Sequence, residues 1–265
     1  TSTDAKNDAN FDNSDWTLEF WINPSNTFGS AIESFMGCGG GYAGWNSSNG
    51  HSWTIFAYNV TNQIYFQWWN GSSNVNMAAD DDLLPKNTWT HVAVVNQSGT
   101  KRFYIGGVQV DTDSNTKAAV STPSTFNIGV SSALDGKFNG HLYDVSIQRG
   151  YCKYEDGTAF TPPTSKITAD SNTEFLLQPE KNDSSFEDES SNGHTVSTQG
   201  SPTTIASTPY DAEAKSTAMY FDGSDNITTS TSTDLAIASG DSFTAECWVY
   251  FNSTHSTYDG IFSTY

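Results

Sequence analysis

The chain has 265 residues, with 30 acidic residues against 11 lysines and arginines, so its formal net charge is −19. This charge argues against nucleic acid as a partner, because phosphate backbones would be repelled. Aromatic residues make up 14% of the chain, whereas disordered acidic chains contain few, so the chain is expected to fold. The sequence contains no apolar run long enough to cross a bilayer, and we therefore expect no membrane insertion.

The cysteines do not form the pattern of a disulfide scaffold. There are three of them, Cys38, Cys152 and Cys247, and we interpret them as small buried side chains. A pairing of Cys38 with Cys152 is left open. The acidic composition, rich in Ser, Thr and Asn, favours a protein that works outside cells.

The first predicted element is a half-buried strand at residues 15–22. Side chains alternate along a strand, so Trp16, Leu18, Phe20 and Ile22 would share one face, and Glu19 would lie on the other. Further strands are predicted at residues 53–58, 64–69, 90–95, 101–105, 108–110, 126–130 and 140–147.

Two turn signals separate the predicted strands. Asn70 and Gly71 follow the third strand, and Gly106 and Gly107 join two strands as a two-residue hairpin, because both residue types tolerate a positive φ. No convincing amphipathic helix of three turns is present. Many short strands with Gly and Asn turns indicate a β-sandwich or a β-barrel.

An internal repeat decides the predicted organisation. Residues 1–4 recur at 231–234, and residues 16–22 recur at 243–249. In the second match Glu19 corresponds to Glu246, and Trp21 corresponds to Trp248.

The repeat predicts a tandem array. Residues 1–163 would be the later part of one copy, residues 164–173 a linker after consecutive prolines, and residues 174–265 the opening part of a second copy. The alternative is a permuted single domain, in which the strands of residues 174–265 complete the sheet that begins near residue 1.

Several segments resemble a known family. Residues 221–224 and 243–249 are similar to the entry of a laminin-G-like domain of the concanavalin A-like lectin/glucanase superfamily. Residues 89–94 and 103–108 resemble its central strand and hairpin, and residues 138–147 resemble its closing strand. The resemblance implies an all-β, antiparallel two-sheet jelly-roll sandwich in tandem repeat.

The linker region adds a narrower resemblance. Residues 160–163, 176–177 and 186–194 are similar to tandem copies in structural proteins of marine bacteriophages. This implies a location on the virion surface or outside the cell. It also implies virion or fibre subunits as partners and leaves homo-oligomers open.

The sequence does not predict an enzyme. Relatives that hydrolyse glucans carry Glu, Asp and Glu on one strand, and retaining hydrolysis needs two carboxyl groups about 5 Å apart. No Glu-x-Asp-x-x-Glu pattern occurs, and residues 187–189 have the wrong spacing. The five histidines show no metal-pair spacing. A glucan hydrolase is therefore the least favoured alternative.

The resemblance implies a structural calcium ion. Calcium takes several oxygen ligands, mainly carboxylates and carbonyls. In the family an acidic residue of the closing strand often joins carbonyls of a loop, and Asp144 is the matching position here. Asp188 and Asn192 match the opening loop of the domain, so these three residues are the candidate Ca²⁺ ligands.

Exposed aromatic and amide side chains indicate a glycan-binding surface. Ile64, Phe66 and Trp68 would face the core, which leaves the opposite face of the strand to Tyr65, Gln67 and Trp69. Trp45, in a glycine-rich loop, is a further candidate carbohydrate-binding residue.

These predictions combine into one functional hypothesis. The chain would be a non-enzymatic structural and adhesion module of a virion fibre, appendage or capsid surface that binds cell-surface polysaccharides or glycans. The alternative is a secreted bacterial adhesin or matrix protein with tandem lectin-like domains.

Overall fold

The computed structural model describes a protein built from strands. The described residues are 15–25, 28, 32–38, 53–58, 63–70, 72–80, 82–114, 126–130, 136–155, 157–179, 186–205, 208–210, 218–220, 225–229 and 246–250. They form the strands β1 (Trp16–Pro24), β2 (Glu33–Cys38), β3 (Trp53–Ala57), β4 (Ile64–Trp69), β5 (Asn74–Ala78), β6 (Thr90–Gln97), β7 (Thr100–Ile105), β8 (Val108–Asp113), β9 (Phe126–Ile128), β10 (Gly140–Arg149), β11 (Thr173–Leu177), β12 (Val196–Gln199), β13 (Thr203–Ile205), β14 (Ala218–Tyr220), β15 (Asn226–Thr229) and β16 (Val249–Tyr250).

Most of these strands pair in two seven-stranded sheets. Sheet A has the order β11-β10-β16-β1-β6-β7-β8, and sheet B has the order β12-β15-β9-β2-β3-β4-β5, while β13 pairs with β14. The pairings are antiparallel except for one parallel contact between β1 and β16. No helix occurs among the described residues, so no described helix could cross a membrane. The predicted all-β two-sheet sandwich is confirmed.

The core lies between the two sheets and follows the predicted alternation. Trp16, Leu18, Phe20 and Ile22 of β1 are fully buried in it. They meet large side chains from sheet B, as in the contact of the Trp16 and Phe66 rings, whose centroids lie 6.1 Å apart. Such burial stabilises the sandwich by roughly 25 cal/mol per Å² of apolar surface removed from water.

The two sheets include strands from both predicted copies. β11 pairs with β10, and β15 pairs with both β9 and β12. The predicted linker at residues 164–173 therefore connects strands of one continuous sandwich. The tandem organisation stays a prediction. Of the strands within residues 1–163, β2 and β5 were not predicted from the sequence. The three cysteines are buried and form no disulfide, so the pairing of Cys38 with Cys152 that the sequence left open is not formed.

The predicted glycine hairpin between β7 and β8 is confirmed. It contacts the segment around Phe160, which packs against the outer face of sheet A. Gly106 and Gly107 have φ values of 60° and 80°, as a type I′ turn requires. The Gly107 carbonyl accepts a hydrogen bond from Phe160 N at 2.9 Å. A Cβ atom on Gly107 would meet the Phe160 carbonyl oxygen, whereas one on Gly106 would meet open space.

This difference gives a matched pair of substitutions. Both Gly106→Ala and Gly107→Ala force a side chain into positive φ, at about 1 kcal/mol each. Only Gly107→Ala also pushes the backbone at Phe160 away. We expect its loss of unfolding free energy in urea denaturation to exceed that of Gly106→Ala by at least about 1 kcal/mol. Equal losses would contradict the packing of Phe160 on this turn.

Candidate functional site

A small cavity lies on the outer face of sheet B. Its volume is about 170 Å³, and its lining residues are Phe56, Tyr58, Tyr65, Gln67 and Asn76. Strand register explains the grouping. Phe56 of β3 is the partner of Tyr65 of β4, and Gln67 of β4 is the partner of Asn76 of β5.

Aromatic rings form one wall of this cavity. The rings of Phe56 and Tyr65 are stacked at 5.3 Å with an interplanar angle of 13°. The Tyr58 ring meets Tyr65 edge to face at 6.1 Å. The Tyr65 hydroxyl donates a hydrogen bond to Gln63 Oε1 at 2.7 Å. The wall is therefore a fixed apolar surface rather than a set of free side chains.

The Gln67 amide forms the polar part of the cavity. Its Nε2 donates to Asn76 Oδ1 at 2.5 Å, which orients the amide. Its Oε1 is buried and, within the described part of the chain, accepts no hydrogen bond. Gln67 as a whole is only 5% exposed. A buried acceptor without a donor costs about 1–3 kcal/mol, and a ligand hydroxyl would relieve this cost.

The structure separates the predicted glycan-binding residues. Ile64, Phe66 and Trp68 face the core, so Tyr65, Gln67 and Trp69 lie on the opposite face of β4, as the alternation predicted. Trp69 is half-buried at the end of this strand and is not among the residues that line the cavity. Trp45 lies outside the described residues.

Sequence reasoning missed Phe56, Tyr58 and Asn76. The signal for Phe56 was present, because pairing residues 53–58 with 64–69 as a hairpin places an aromatic residue beside Tyr65. Asn76 could not be found, because β5 was not predicted.

A larger cleft of about 380 Å³ lies beside the segment that covers sheet A. It is bordered by residues of 148–170, including Gln148, Tyr151, Lys153 and Lys166. Lys153 is committed to a buried ion pair, described next, and Tyr151 is 42% exposed. Tyr154 also lines this cleft and is stacked on Phe160 with ring centroids 3.5 Å apart, but its hydroxyl donates to the buried Glu19 carboxylate.

A buried carboxylate sits on the outer face of sheet A. Glu19 is fully buried and is contacted by the Lys153 ammonium and the Tyr154 hydroxyl. His91 Nε2 lies 3.0 Å from its Oε2. Burial alone would raise the pKa of Glu19, but Lys153 and His91 together lower it. Burial lowers the pKa of His91 against the opposing effect of Glu19. We infer a charged glutamate paired with the lysine.

Glu246 joins this cluster from the repeated segment. One carboxylate oxygen each of Glu19 and Glu246 and one imidazole nitrogen of His91 lie within 4.8 Å of one another. Lys153 Nζ is 3.1 Å from Glu246 Oε1. Two carboxyl groups this close resemble the spacing in retaining glycosidases. Both, however, are fully buried and share one lysine. Neither carboxyl group is among the residues that line the two described cavities.

Asp144 lies at a bulge in β10. Two residues of β10, Asp144 and Val145, stand opposite Phe20 of β1, and Asp144 has a φ of 50°. Bulges redirect side chains in this way. The carboxyl group accepts hydrogen bonds from Tyr210 OH and from Gln178 Nε2 at 2.5 Å. Burial raises the pKa of Asp144 to about 7, although these hydrogen bonds oppose the shift.

Asp188 and Asn192 lie together in a turn against β11. Asp188 Oδ1 accepts hydrogen bonds from the backbone N–H groups of Leu176 and Ser190, each at 2.9 Å. Its Oδ2 accepts from His194 N at 2.9 Å and from the Ser190 hydroxyl at 2.8 Å. Asn192 Nδ2 donates to the Glu174 carbonyl at 3.1 Å. This carboxylate pins the turn to the sheet.

These environments bear on the calcium prediction. Ca²⁺ needs six to eight oxygen ligands, but the groups aimed at the Asp188 carboxylate are N–H and O–H donors, which suit an anion. Asp144 and Asp188 share no hydrogen-bond partner among the described contacts. The described residues therefore do not fit a calcium ion at Asp188 as arranged, and a structural Ca²⁺ stays a prediction.

The raised pKa of Asp144 predicts a pH effect on stability. The folded state holds the proton up to about pH 7, whereas the unfolded chain releases it near pH 4. The contribution of this proton to stability is therefore complete below pH 4 and is lost as the pH rises to 7. We expect Asp144→Asn to gain unfolding free energy relative to wild type between pH 4 and pH 8, measured by urea denaturation.

A control exists for the effect of positive φ. Asp82 is also an aspartate at positive φ (62°) but is exposed. Asp82→Asn therefore makes the same substitution at positive φ without removing a buried carboxyl group, and the profile of Asp144→Asn is compared with it. A profile for Asp144→Asn that is parallel to wild type over this range would contradict the buried, protonated carboxyl group.

The solved structures to which this chain is similar share about a tenth of its sequence. Among solved structures, the chain is similar to a botulinum neurotoxin serotype D binding domain, with 10% identity, a TM-score of 0.30 and coverage of 78% of this chain. The chain spans 64% of the length of that domain. It is also similar to two HCR/D point mutants, with 11% and 10% identity and TM-scores of 0.29 and 0.31. The matched regions cover 88% and 91% of this chain, respectively, and 83% of each mutant chain.

Sequence similarity identifies the family. No curated protein sequence matches the chain. A laminin-G family model, described as the concanavalin A-like lectin/glucanases superfamily, matches residues 1–151. This segment contains β1–β10, which include the central strand of sheet A, β1, and the strands that form the aromatic cavity of sheet B. The chain therefore belongs to the concanavalin A-like lectin/glucanases superfamily.

Proposed function

We propose that the chain is a non-enzymatic saccharide-binding module and that the cavity of β3, β4 and β5 is its binding site. The observation that carries this proposal is the buried Gln67 amide beside the Phe56–Tyr65 stack. Sugars present apolar C–H faces to aromatic rings and hydroxyl groups to amides, and this cavity offers both kinds of surface.

The size and charge of the site narrow the ligand class. At about 170 Å³, the cavity is smaller than the roughly 300–1,000 Å³ of typical small-molecule sites. It would take one ring of a saccharide while the remaining rings stay outside. The chain carries a net charge of −19 and would repel acidic sugars. We therefore propose a neutral saccharide, in keeping with a cell-surface polysaccharide.

The biological setting is a proposal that rests on the sequence. The similarity of the linker region to phage structural proteins supports a virion fibre, appendage or capsid surface, where further subunits would be partners. A secreted adhesin or matrix protein would use the same site. Both settings are extracellular or on a particle surface, and both need adhesion rather than catalysis.

The experiment that tests the site is a binding titration. The full chain is screened on a glycan array, and a neutral oligosaccharide that binds is then titrated by calorimetry. Tyr65→Ala and Gln67→Ala should each weaken the affinity by about tenfold or more. The first removes contact with the sugar ring, and the second removes the buried Gln67 oxygen that a sugar hydroxyl would satisfy.

Two further variants serve as controls, one on sheet A and one on β4 of sheet B outside the cavity. Val108→Ala alters an exposed side chain on β8 of sheet A, 57% exposed, and should leave affinity unchanged. Trp69→Ala should change it by less than about twofold if the cavity alone binds the sugar. A blank array, or unchanged affinity in folded Tyr65→Ala and Gln67→Ala proteins, would refute the proposal.

A further inference from the structure

The larger of the two described cavities lies on the outer face of sheet A, and the proposed saccharide site does not use it. Its volume is about 380 Å³, which falls within the roughly 300–1,000 Å³ of typical small-molecule sites. Gln148 of β10 and residues of the segment 151–170 line it. It shares no lining residue with the cavity of sheet B.

Gln148 is the buried polar group of this cleft. Leu18 and Ile147 are partners in the pairing of β1 with β10, and both face the core. Alternation therefore places Gln148 and its partner Thr17 on the outer face of sheet A. Gln148 is only 5% exposed. Its Oε1 is buried and accepts no hydrogen bond within the described part of the chain.

The two cross-strand neighbours of Gln148 do not satisfy this oxygen, because their hydroxyl groups have other partners. Gln148 lies opposite Thr17 of β1 and Thr173 of β11. The Thr17 hydroxyl donates to the Tyr151 carbonyl at 3.2 Å, and the Thr173 hydroxyl donates to Asp170 Oδ1 at 3.1 Å. A hydroxyl group has one proton to donate. Because Gln148 lines the cleft, a ligand bound there can supply the missing donor.

The same two threonines hold lining residues in place. Lys153 N donates to Thr17 Oγ1 at 2.7 Å, so Thr17 fixes the backbone of both Tyr151 and Lys153. Asp170 N donates to Thr173 Oγ1 at 2.9 Å, in addition to the bond between the Thr173 hydroxyl and the Asp170 carboxylate. Groups that are fixed before binding lose less conformational freedom when a ligand binds.

The charges around the cleft balance, which favours an uncharged ligand. Lys153, Lys166 and Asp170 all line it, and Lys153 is already paired with the Glu19 carboxylate. Two lysines are thus opposed by two carboxylates, and no excess charge attracts an ion. A neutral ligand with hydroxyl groups can donate to Gln148 and accept from a lysine.

The lining suits a saccharide better than an extended peptide. Peptides that add to a sheet use a free backbone edge, but β10 is paired with β1 on one side and with β11 on the other. The cleft instead offers side chains. Tyr151, which is 42% exposed, provides an aromatic ring for the apolar faces of a sugar. The hydroxyl-bearing residues Thr161, Ser165 and Thr168 also line the cleft.

We propose that this cleft is a second binding site for a neutral saccharide, with the Gln148 amide, the Tyr151 ring and the Asp170 carboxylate as its contacts. The choice of a saccharide rests on the proposed function, whereas the site itself rests on the unpaired Gln148 oxygen. The two sites lie on opposite faces of the sandwich, so one chain would hold two segments of polysaccharide. Two linked sites attach to a multivalent surface more strongly than either site alone.

The first test asks whether Gln148 serves the ligand or the fold. Gln148→Met replaces the amide with an apolar group of similar length. Removing an unsatisfied buried oxygen removes its energetic cost, so Tm of the free chain should stay the same or rise. The affinity of this site for a neutral glycan should nevertheless fall by about tenfold or more. A lowered Tm, or unchanged affinity of the site, would overturn the proposal.

The matched control is Gln109→Met on β8 of the same sheet. The Gln109 oxygen is also buried without a partner in the described part of the chain, but Gln109 lines neither described cavity. This substitution should leave glycan affinity unchanged. A loss of affinity equal to that of Gln148→Met would contradict the assignment of the site to the cleft.

The second test separates the two sites on an array of neutral and acidic glycans. The double variant Tyr65→Ala/Gln67→Ala removes the sheet B site and should still bind neutral glycans. Adding Gln148→Met to it should abolish this binding. Calorimetry with a neutral glycan that binds should give two sites for the wild-type chain. It should give one site for the sheet B double variant.

The outcomes distinguish a failure of the second site from a failure of the proposed function. A folded sheet B double variant that binds no glycan would overturn the second site and leave the proposed function standing. Loss of all binding through Gln148→Met alone would refute the sheet B cavity instead and support the cleft. Binding of the sheet B double variant to acidic glycans only would overturn the neutral ligand. A blank array for the wild-type chain would refute both sites.

Discussion

The structure depends on the alternation of side chains along β1. One face of this strand buries Trp16, Leu18, Phe20 and Ile22 between the sheets, and the other face carries Glu19. A fully buried carboxylate is tolerated only when its charge is compensated. Lys153, Tyr154 and His91 supply that compensation. Because Lys153 and Tyr154 follow β10 in the chain, the same contacts hold the segment after β10 against the outer face of sheet A.

This constraint gives the two sheets different outer faces. On the outer face of sheet A, the segment after β10 lies against the sheet, and Lys153 and Tyr154 of this segment contact the Glu19 carboxylate. The outer face of sheet B carries the cavity with the stacked rings and the unsatisfied oxygen of Gln67. Saccharide binding is therefore proposed first for sheet B, and the cleft beside Gln148 adds a second site on sheet A.

Much of the fold could be predicted from the sequence, because period-two alternation is a local property. Alternation predicted the inward face of β1 and the two faces of β4, and the Gly106–Gly107 pair predicted the turn between β7 and β8. β2 and β5 were missed because Glu33 and Ser34 in β2, and Asn74 and Asn76 in β5, are polar. In the candidate site, Tyr65 and Gln67 could be predicted from the alternation along β4. Phe56 and Asn76 could not, because they join the site only through the pairing of β4 with β3 and β5. The ion pair of Glu19 with Lys153 joins residues 134 positions apart, which no local pattern reveals.

The most direct test of the central role of β1 is hydrogen–deuterium exchange on the full chain, read residue by residue. A strand that is hydrogen-bonded on both sides and buried on both faces opens only with global unfolding. The account predicts that amides of residues 17–22 are among the slowest to exchange, and that those of the edge strands β5 and β8 exchange faster. Exchange of β1 as fast as that of β8 would contradict it.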